Sequence, residues 1–228
     1  MLIVAVADCT GHGVPGAFMS ILGISLLDEI VRKEQITTPN VILNKLRENI
    51  ISSLQQKNIA DNKQLSDNVY DGMDIAICVI NYEKMELQFA GANSPLYIVS
   101  SNQSAVGSQQ SAVSNGTEDC GLKTEDCGLI ELKGDKMPIG MYTVMKPFNN
   151  HIIKVNKGDL IYLLSDGFAD QFGGPKGRKF LHSQLKDMLL KNAHLSINEQ
   201  KEILETTYNN WRGNLSQVDD IIILGIKV

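Results

Sequence analysis

Short apolar runs closed by acids recur along this chain. Leu160-Ile161-Tyr162-Leu163-Leu164 is an unbroken apolar run framed by Gly158 and Gly167, and it reads as a buried strand. The run ends on Ser165-Asp166-Gly167, with Asp170 one helical turn beyond Asp166. Leu2 to Ala7 leads into Asp8-Cys9-Thr10-Gly11-His12-Gly13, and Gln217-Val218-Asp219-Asp220 leads into Ile221 to Ile226. Three expected strands, from the two ends and the middle of the chain, each carry a carboxylate at one end.

Elsewhere the apolar spacing widens to that of helices. Pro15 suits the first position of a helix, where its missing N–H is harmless. Phe18, Ile21, Leu22, Ile24, Leu26, Leu27, Ile30 and Val31 then predict a broad apolar face packed on a sheet. Thr38-Pro39 reads as the cap and first residue of a second helix, with Leu43, Leu46, Ile50 and Leu54 on one buried stripe. Residues 58–68 are polar and read as a loop. Ile75 to Asn81 and Leu87 to Ala90 predict a hairpin around Tyr82-Glu83-Lys84-Met85, and Leu96 to Val99 is expected as the third strand of that meander. Ile130 to Leu132 and Ile152 to Val155 read as strands flanking the turn Met137-Pro138-Ile139-Gly140. Beyond Gly174 a loop bearing Lys176, Arg178 and Lys179 precedes an amphipathic helix with Leu181, Leu185, Met188 and Leu189. Ile197 to Trp211 predicts a last helix with Ile203, Leu204, Tyr208 and Trp211 inward. Strands separated by paired helices predict an α+β fold with helices layered over sheets.

Residues 100–129 break this pattern. Thr117-Glu118-Asp119-Cys120-Gly121-Leu122 recurs as Thr124-Glu125-Asp126-Cys127-Gly128-Leu129, and Ser104-Ala105-Val106 recurs at Ser111-Ala112-Val113. A duplication with no apolar face predicts an expanded, mobile hairpin connection without chemistry of its own.

Composition narrows the classes. The 228 residues, 43% of them apolar, fit one large domain spanning 1–228. A formal charge of −5 without any Lys/Arg block argues against nucleic acid and against electrostatic membrane anchoring. Four cysteines, at 9, 78, 120 and 127, lack the density of a disulfide scaffold, so a reducing compartment is expected. Cys120 and Cys127 have no second pair to complete a zinc site. No apolar run approaches the ~20 residues of a membrane span and no signal peptide is visible, so the chain is expected to be soluble and cytoplasmic. The chemistry therefore rests on the acids. Carboxylates and carbonyl oxygens at strand ends suit Mg2+ or Mn2+, which prefer oxygen donors.

Asp8-x-x-Gly-His-Gly, Asp166-Gly167 after a buried strand, and Gln217-x-Asp219-Asp220 together resemble the SpoIIE/RsbU-type branch of the metal-dependent (PPM) serine/threonine protein phosphatases. Asp71-Gly72-Met73-Asp74-Ile75-Ala76, Phe89-Ala90-Gly91-Ala92-Asn93-Ser94-Pro95-Leu96, Lys136-Met137-Pro138-Ile139-Gly140 and Asp170-Gln171-Phe172-Gly173-Gly174 fit the same branch, in order along almost the whole chain. The resemblance implies an αββα sandwich of two mostly antiparallel sheets flanked by helices. It also implies hydrolysis of phosphoserine or phosphothreonine on a regulatory protein, such as an anti-sigma-factor antagonist, by a water bridging two Mn2+ or Mg2+ ions.

By the same resemblance Asp8 bridges the two ions, the backbone carbonyl of Cys9 meets one of them, Asp166 and Asp219 hold the other, and Asp170 acts through a bound water. Asp8, Asp166 and Asp219 are thus the catalytic acids. His12 is a candidate general acid, with turn structure before the helix as its other reading. Asp74 is open between a ligand and a structural acid, whereas Asp71 reads as a solvated loop acid. Asn93 lies near where distant relatives place a further acidic ligand. Ile222 replaces a usual threonine. Relatives carry an earlier strand pair with a Gly-Asp ligand that has no match here, so an N-terminally truncated domain is expected, following an upstream sensor that could tether the full-length protein to a membrane. A homodimer is compatible with this organisation. The rival reading is a catalytically inactive PPM-like domain that signals by binding a protein.

Overall fold

The computed structural model describes residues 1–11, 13–54, 71–101 and 128–228. His12, the loop expected at 58–68 and most of the duplicated segment, with Cys120 and Cys127, lie outside the described residues. The chain divides into two compact units, the first of residues 1–95 and 133–153, the second of 96–132 and 154–228.

In the first unit β1 (Leu2–Cys9), β2 (Met73–Asn81), β3 (Glu86–Ala92) and β6 (His151–Lys154) form a sheet in the order β1-β2-β3-β6. β1 and β2 are antiparallel, with Val6 opposite Ala76 and Asp8 opposite Asp74. The β2–β3 hairpin forms as the sequence predicts. Its turn is held by Asn81 Oδ1, which accepts from the N–H groups of Glu83 and Lys84 at 3.0 Å each, and Met85 takes a φ of 46°. Helix α2 (Pro39–Ser53) sinks Ile42, Leu43, Leu46 and Ile50 into this unit's core with Ile75, Ile77 and Phe148, and the Arg47 guanidinium stacks 4.7 Å from the Phe148 ring. Thr38 occupies the N-cap in extended conformation, but its side chain makes no capping bond.

Helix α1 (Val14–Asp28) departs from expectation. Phe18, Ile21 and Ile24 are 65–69% exposed, while Met19, Gly23 and Ile30 are buried. Because the helix is apolar all round, periodicity could not identify its packed side. The small residues do: a Cβ on Gly23 would stand 2.6 Å from Met73 Cε, and one on Gly16 would stand 2.6 Å from the Gly11 carbonyl oxygen. The helix continues through a π-helical turn (Glu29–Lys33), giving 20 residues, Val14–Lys33, that by length and composition alone could cross a membrane. This corrects the reading that nothing approached such a span. Polar Ser20 and Ser25 and the closing charges interrupt the apolar run in sequence without interrupting the helix. Met19 and Ile30 belong to the core of the first unit, the situation of a globular core helix.

The second unit's sheet has the order β10-β7-β4-β5, from β10 (Ile223–Lys227), β7 (Leu160–Leu164), β4 (Leu96–Val99) and β5 (Leu129–Leu132), with all its pairs antiparallel. β4 was expected beside β3. Instead it lies between β5 and β7, where Leu96-Tyr97-Ile98-Val99 is buried throughout and has a paired strand on each edge. Asn93, at φ 57°, and Pro95 turn the chain away before it. Helices α4 (His182–Lys191) and α5 (Ile197–Arg212) supply Leu185, Leu189 and Tyr208 to a core that includes Tyr162, Phe168 and Phe180. Two further elements follow β7: a single-turn helix α3 (Gly167–Asp170), and a small hairpin, β8 (Phe172–Gly173) with β9 (Arg178–Lys179), where a basic loop was expected. β10 begins at Ile223, so Asp219 sits in a loop rather than directly on the strand.

Candidate metal centre

The acids of the second unit are gathered where β7 ends. The β7 run terminates at Leu164, Ser165 is buried, and the chain turns into α3, in which Asp170 N donates to the Asp166 carbonyl at 2.9 Å. Asp166 and Asp170 are therefore one helical turn apart, as the spacing predicts. Gly167 allows the loop of Asp219 to approach backbone to backbone, since any Cβ there would overlap the Asp220 carbonyl oxygen. Asp219 Oδ1 accepts from Asp220 N at 2.8 Å, and its carbonyl accepts from Gln217 Nε2 at 2.8 Å.

The electrostatics reflect this crowding. Burial raises the Asp166 carboxyl above its ordinary range, and the charges of Asp219 and Asp170 push it further up. A backbone hydrogen bond and nearby His182 pull the other way. Asp170 is ion-paired, with Lys179 Nζ 2.8 Å from its Oδ2. Two participants escaped the sequence reading. Lys179, which the sequence places on a basic loop without a role, neutralises an acid. His182, whose buried Nδ1 has no hydrogen-bond partner among the described residues, has no motif to mark it.

In the first unit Asp8 is the penultimate residue of β1 and stands opposite Asp74, whose Oδ1 accepts from Asn93 Nδ2 at 2.8 Å. Asn93 thus serves Asp74 directly. Beyond Asp8, Thr10 and Gly72 lock the turn reciprocally: Thr10 N and Oγ1 donate to the Gly72 carbonyl at 3.0 and 3.1 Å, and Gly72 N donates to Oγ1 at 2.8 Å. Burial raises the Cys9 thiol, partly offset by Ser20, with Asp8 adding to the rise. The Cys9 carbonyl, an oxygen donor, suits Mg2+ or Mn2+ better than its thiol does.

The donor set is oxygen throughout, and the mutual repulsion at Asp166 is what a divalent cation relieves, so these residues fit Mg2+ or Mn2+. The antiparallel sheets carrying helices match the fold of PP2C-type phosphatase domains. The chain belongs to the SpoIIE family, whose model, described as stage II sporulation protein E, matches residues 1–116 and 107–228. Among solved structures it is similar to the SiaA-PP2C domain of Pseudomonas aeruginosa, with 28% identity and a TM-score of 0.76 over 99% of this chain and 75% of that one. The PP2C phosphatase domain with a fragment of the regulatory domain of Bacillus subtilis SpoIIE matches at 16% identity and TM-score 0.63, over 99% of this chain and 54% of that one. The RsbU and RsbW domains of Rv1364c from Mycobacterium tuberculosis match at 16% and 0.61, over 99% and 52%. The chain thus spans about half the length of these last two. No curated protein matches the sequence.

Proposed function

We propose that this domain hydrolyses phosphoserine or phosphothreonine on a regulatory protein, with two Mn2+ or Mg2+ ions held by Asp8, the Cys9 carbonyl, Asp166 and Asp219, and with Asp170 acting through a bound water. The observation that carries the reading is that carboxylate oxygens of Asp166 and Asp219 lie within 4.8 Å of each other, with Asp170 one helical turn from Asp166, in a chain of the SpoIIE family. When bound, divalent cations neutralise phosphate oxygens and acidify water for attack at phosphorus. Asp166, just past the end of β7, and Asp219, on the loop packed against Gly167, supply negative charge. Lys179 pairs with Asp170 and lowers the net negative charge met by an incoming phosphate. Asp8, on its own strand, would supply a further carboxylate to the ions. The substrate we favour is a phosphorylated partner such as an anti-sigma-factor antagonist, met in the cytoplasm under control of an upstream sensor domain. That control is supported by the regulatory-domain fragment in the B. subtilis structure.

The test is release of phosphate from a phosphoserine peptide and from an aryl phosphate, with Mn2+ titrated, using the full-length protein and an Asp166→Ala control. Turnover in the wild type that the substitution abolishes is the expected result. Equal inertness of the two proteins refutes the enzyme and leaves the protein-binding module.

A further inference from the structure

Gln171 follows α3 directly and is fully buried. Its side chain spends its full hydrogen-bonding capacity. Nε2 donates to the carbonyls of Phe172 and Ser216, both at 3.0 Å, while Oε1 accepts from Tyr208 Oη at 2.7 Å and from Val218 N at 3.2 Å. Two acceptors facing one end and two donors facing the other fix the amide's orientation. Its backbone carbonyl also accepts, from Trp211 Nε1 at 3.1 Å and Phe180 N at 3.0 Å. Ser165 acts similarly six residues earlier: Oγ donates to the Asp220 carbonyl at 2.9 Å and accepts from Ile222 N at 3.0 Å.

These bonds converge on residues 213–222, which contain no helix or strand. Gln171 grips the loop on one side of Asp219, at Ser216 and Val218, and Ser165 grips it on the other, at Asp220 and Ile222. The residues between them, 166–170, carry Asp166 and Asp170. We propose that Ser165 and Gln171 form a clamp that presets the spacing of Asp219 from Asp166, so that a cation meets a formed pair of acids instead of ordering a loose loop. A residue that only filled the core would be as well served by an apolar side chain, whereas a buried amide bonded at four points to loop, hairpin and α5 is specific to this geometry. Both are positioning residues, and the proposal rests on the metal reading above.

The test uses the full chain with two readouts: amide hydrogen exchange of residues 214–219, and Mn2+ binding followed by the EPR signal of free Mn2+. Gln171→Glu is nearly isosteric. It keeps both bonds at Oε1 but turns an oxygen toward two carbonyls. Ser165→Ala releases the other grip. Tyr162→Phe is the control, because it removes the hydrogen bond that Tyr162 Oη donates to another buried glutamine, Gln200, whose side-chain bonds go to Tyr162 and to the Leu195 carbonyl and not to residues 213–222. Each clamp variant is expected to speed exchange of the loop and to weaken Mn2+ binding about 10–100-fold, the usual effect of losing a group that orients a metal ligand. Tyr162→Phe lowers the melting temperature with neither effect. Unchanged loop exchange in both clamp variants overturns the proposal, as does equal loss of Mn2+ affinity in Tyr162→Phe. If the wild type binds no Mn2+, the metal reading fails, and the exchange data alone decide whether the clamp exists.

Discussion

Gly167 and the carbonyl of Asp220 are packed so closely that no side chain of any kind can stand between them. That carbonyl is also the acceptor for Ser165 Oγ. Gly167→Ala therefore forces backbone apart from backbone, displacing the Asp219 loop. We expect a loss of about 1–3 kcal/mol, the range for overpacking a tight site, measured by urea unfolding, together with loss of Mn2+ binding. Wild-type stability in the alanine variant refutes the packing argument.

Asp166 makes stability depend on pH in the direction opposite to a salt-bridged acid. Burial and the neighbouring charges raise its carboxyl in the folded state, so the native protein holds this proton more tightly than the unfolded chain does. Stability then falls as pH rises from the ordinary carboxylate range through the raised value, and the penalty is complete above it. In EDTA, Asp166→Asn should stabilise the protein at pH 7 by about 0.2–1 kcal/mol, the scale of partly exposed charge interactions. The gain should shrink as pH falls through the raised value and vanish by about pH 3, below the ordinary carboxylate range. Thermal unfolding at the two pH values is decisive, and a destabilised asparagine variant at pH 7 contradicts the sign.

Tyr162 donates to Gln200 Oε1 at 2.6 Å inside the second unit, and burial pushes its phenol up to about 12. Tyr162→Phe leaves a buried amide oxygen without its donor. The expected loss is about 1–3 kcal/mol, read by chemical denaturation.

In the first unit, Thr10→Val keeps the shape of the side chain and deletes the acceptor for Gly72 N. A destabilisation of about 1–3 kcal/mol is expected, with Thr10→Ser restoring most of it. If valine and threonine unfold at the same urea concentration, the reciprocal lock has no energetic role.

Helix α1 offers a contrast between neighbours. Phe18→Lys alters a 68% exposed position and should change stability by less than about 0.5 kcal/mol, whereas Met19→Ala opens the core and should cost about 2–5 kcal/mol. Comparable losses in the two variants mean that the helix packs on a different side.

Much of this organisation was readable beforehand because buried strands announce themselves. The apolar runs of β1 and β7, their terminal acids, the β2–β3 hairpin and the one-turn spacing of Asp166 and Asp170 all follow from local pattern. Three things did not. The packed side of α1 is chosen by Gly16 and Gly23, which hydrophobicity does not distinguish. The place of β4 is a matter of sheet order, and a four-residue apolar run carries no information about its partners. Gln171 stood in plain view within Asp170-Gln171-Phe172-Gly173-Gly174, but its partners, Tyr208, Ser216 and Val218, lie about 40 residues away in the chain.

The central place of β4 also bears on how the protein is made. Its left-hand and right-hand neighbours are encoded later than itself: a nascent chain that has just released Leu96 to Val99 must wait for residues 129–132 and 160–164 before either edge is satisfied. Pairings across such separations fold slowly and leave apolar strand edges open in the interval. The ribosome-bound intermediate of this chain is accordingly where chaperones should be needed most.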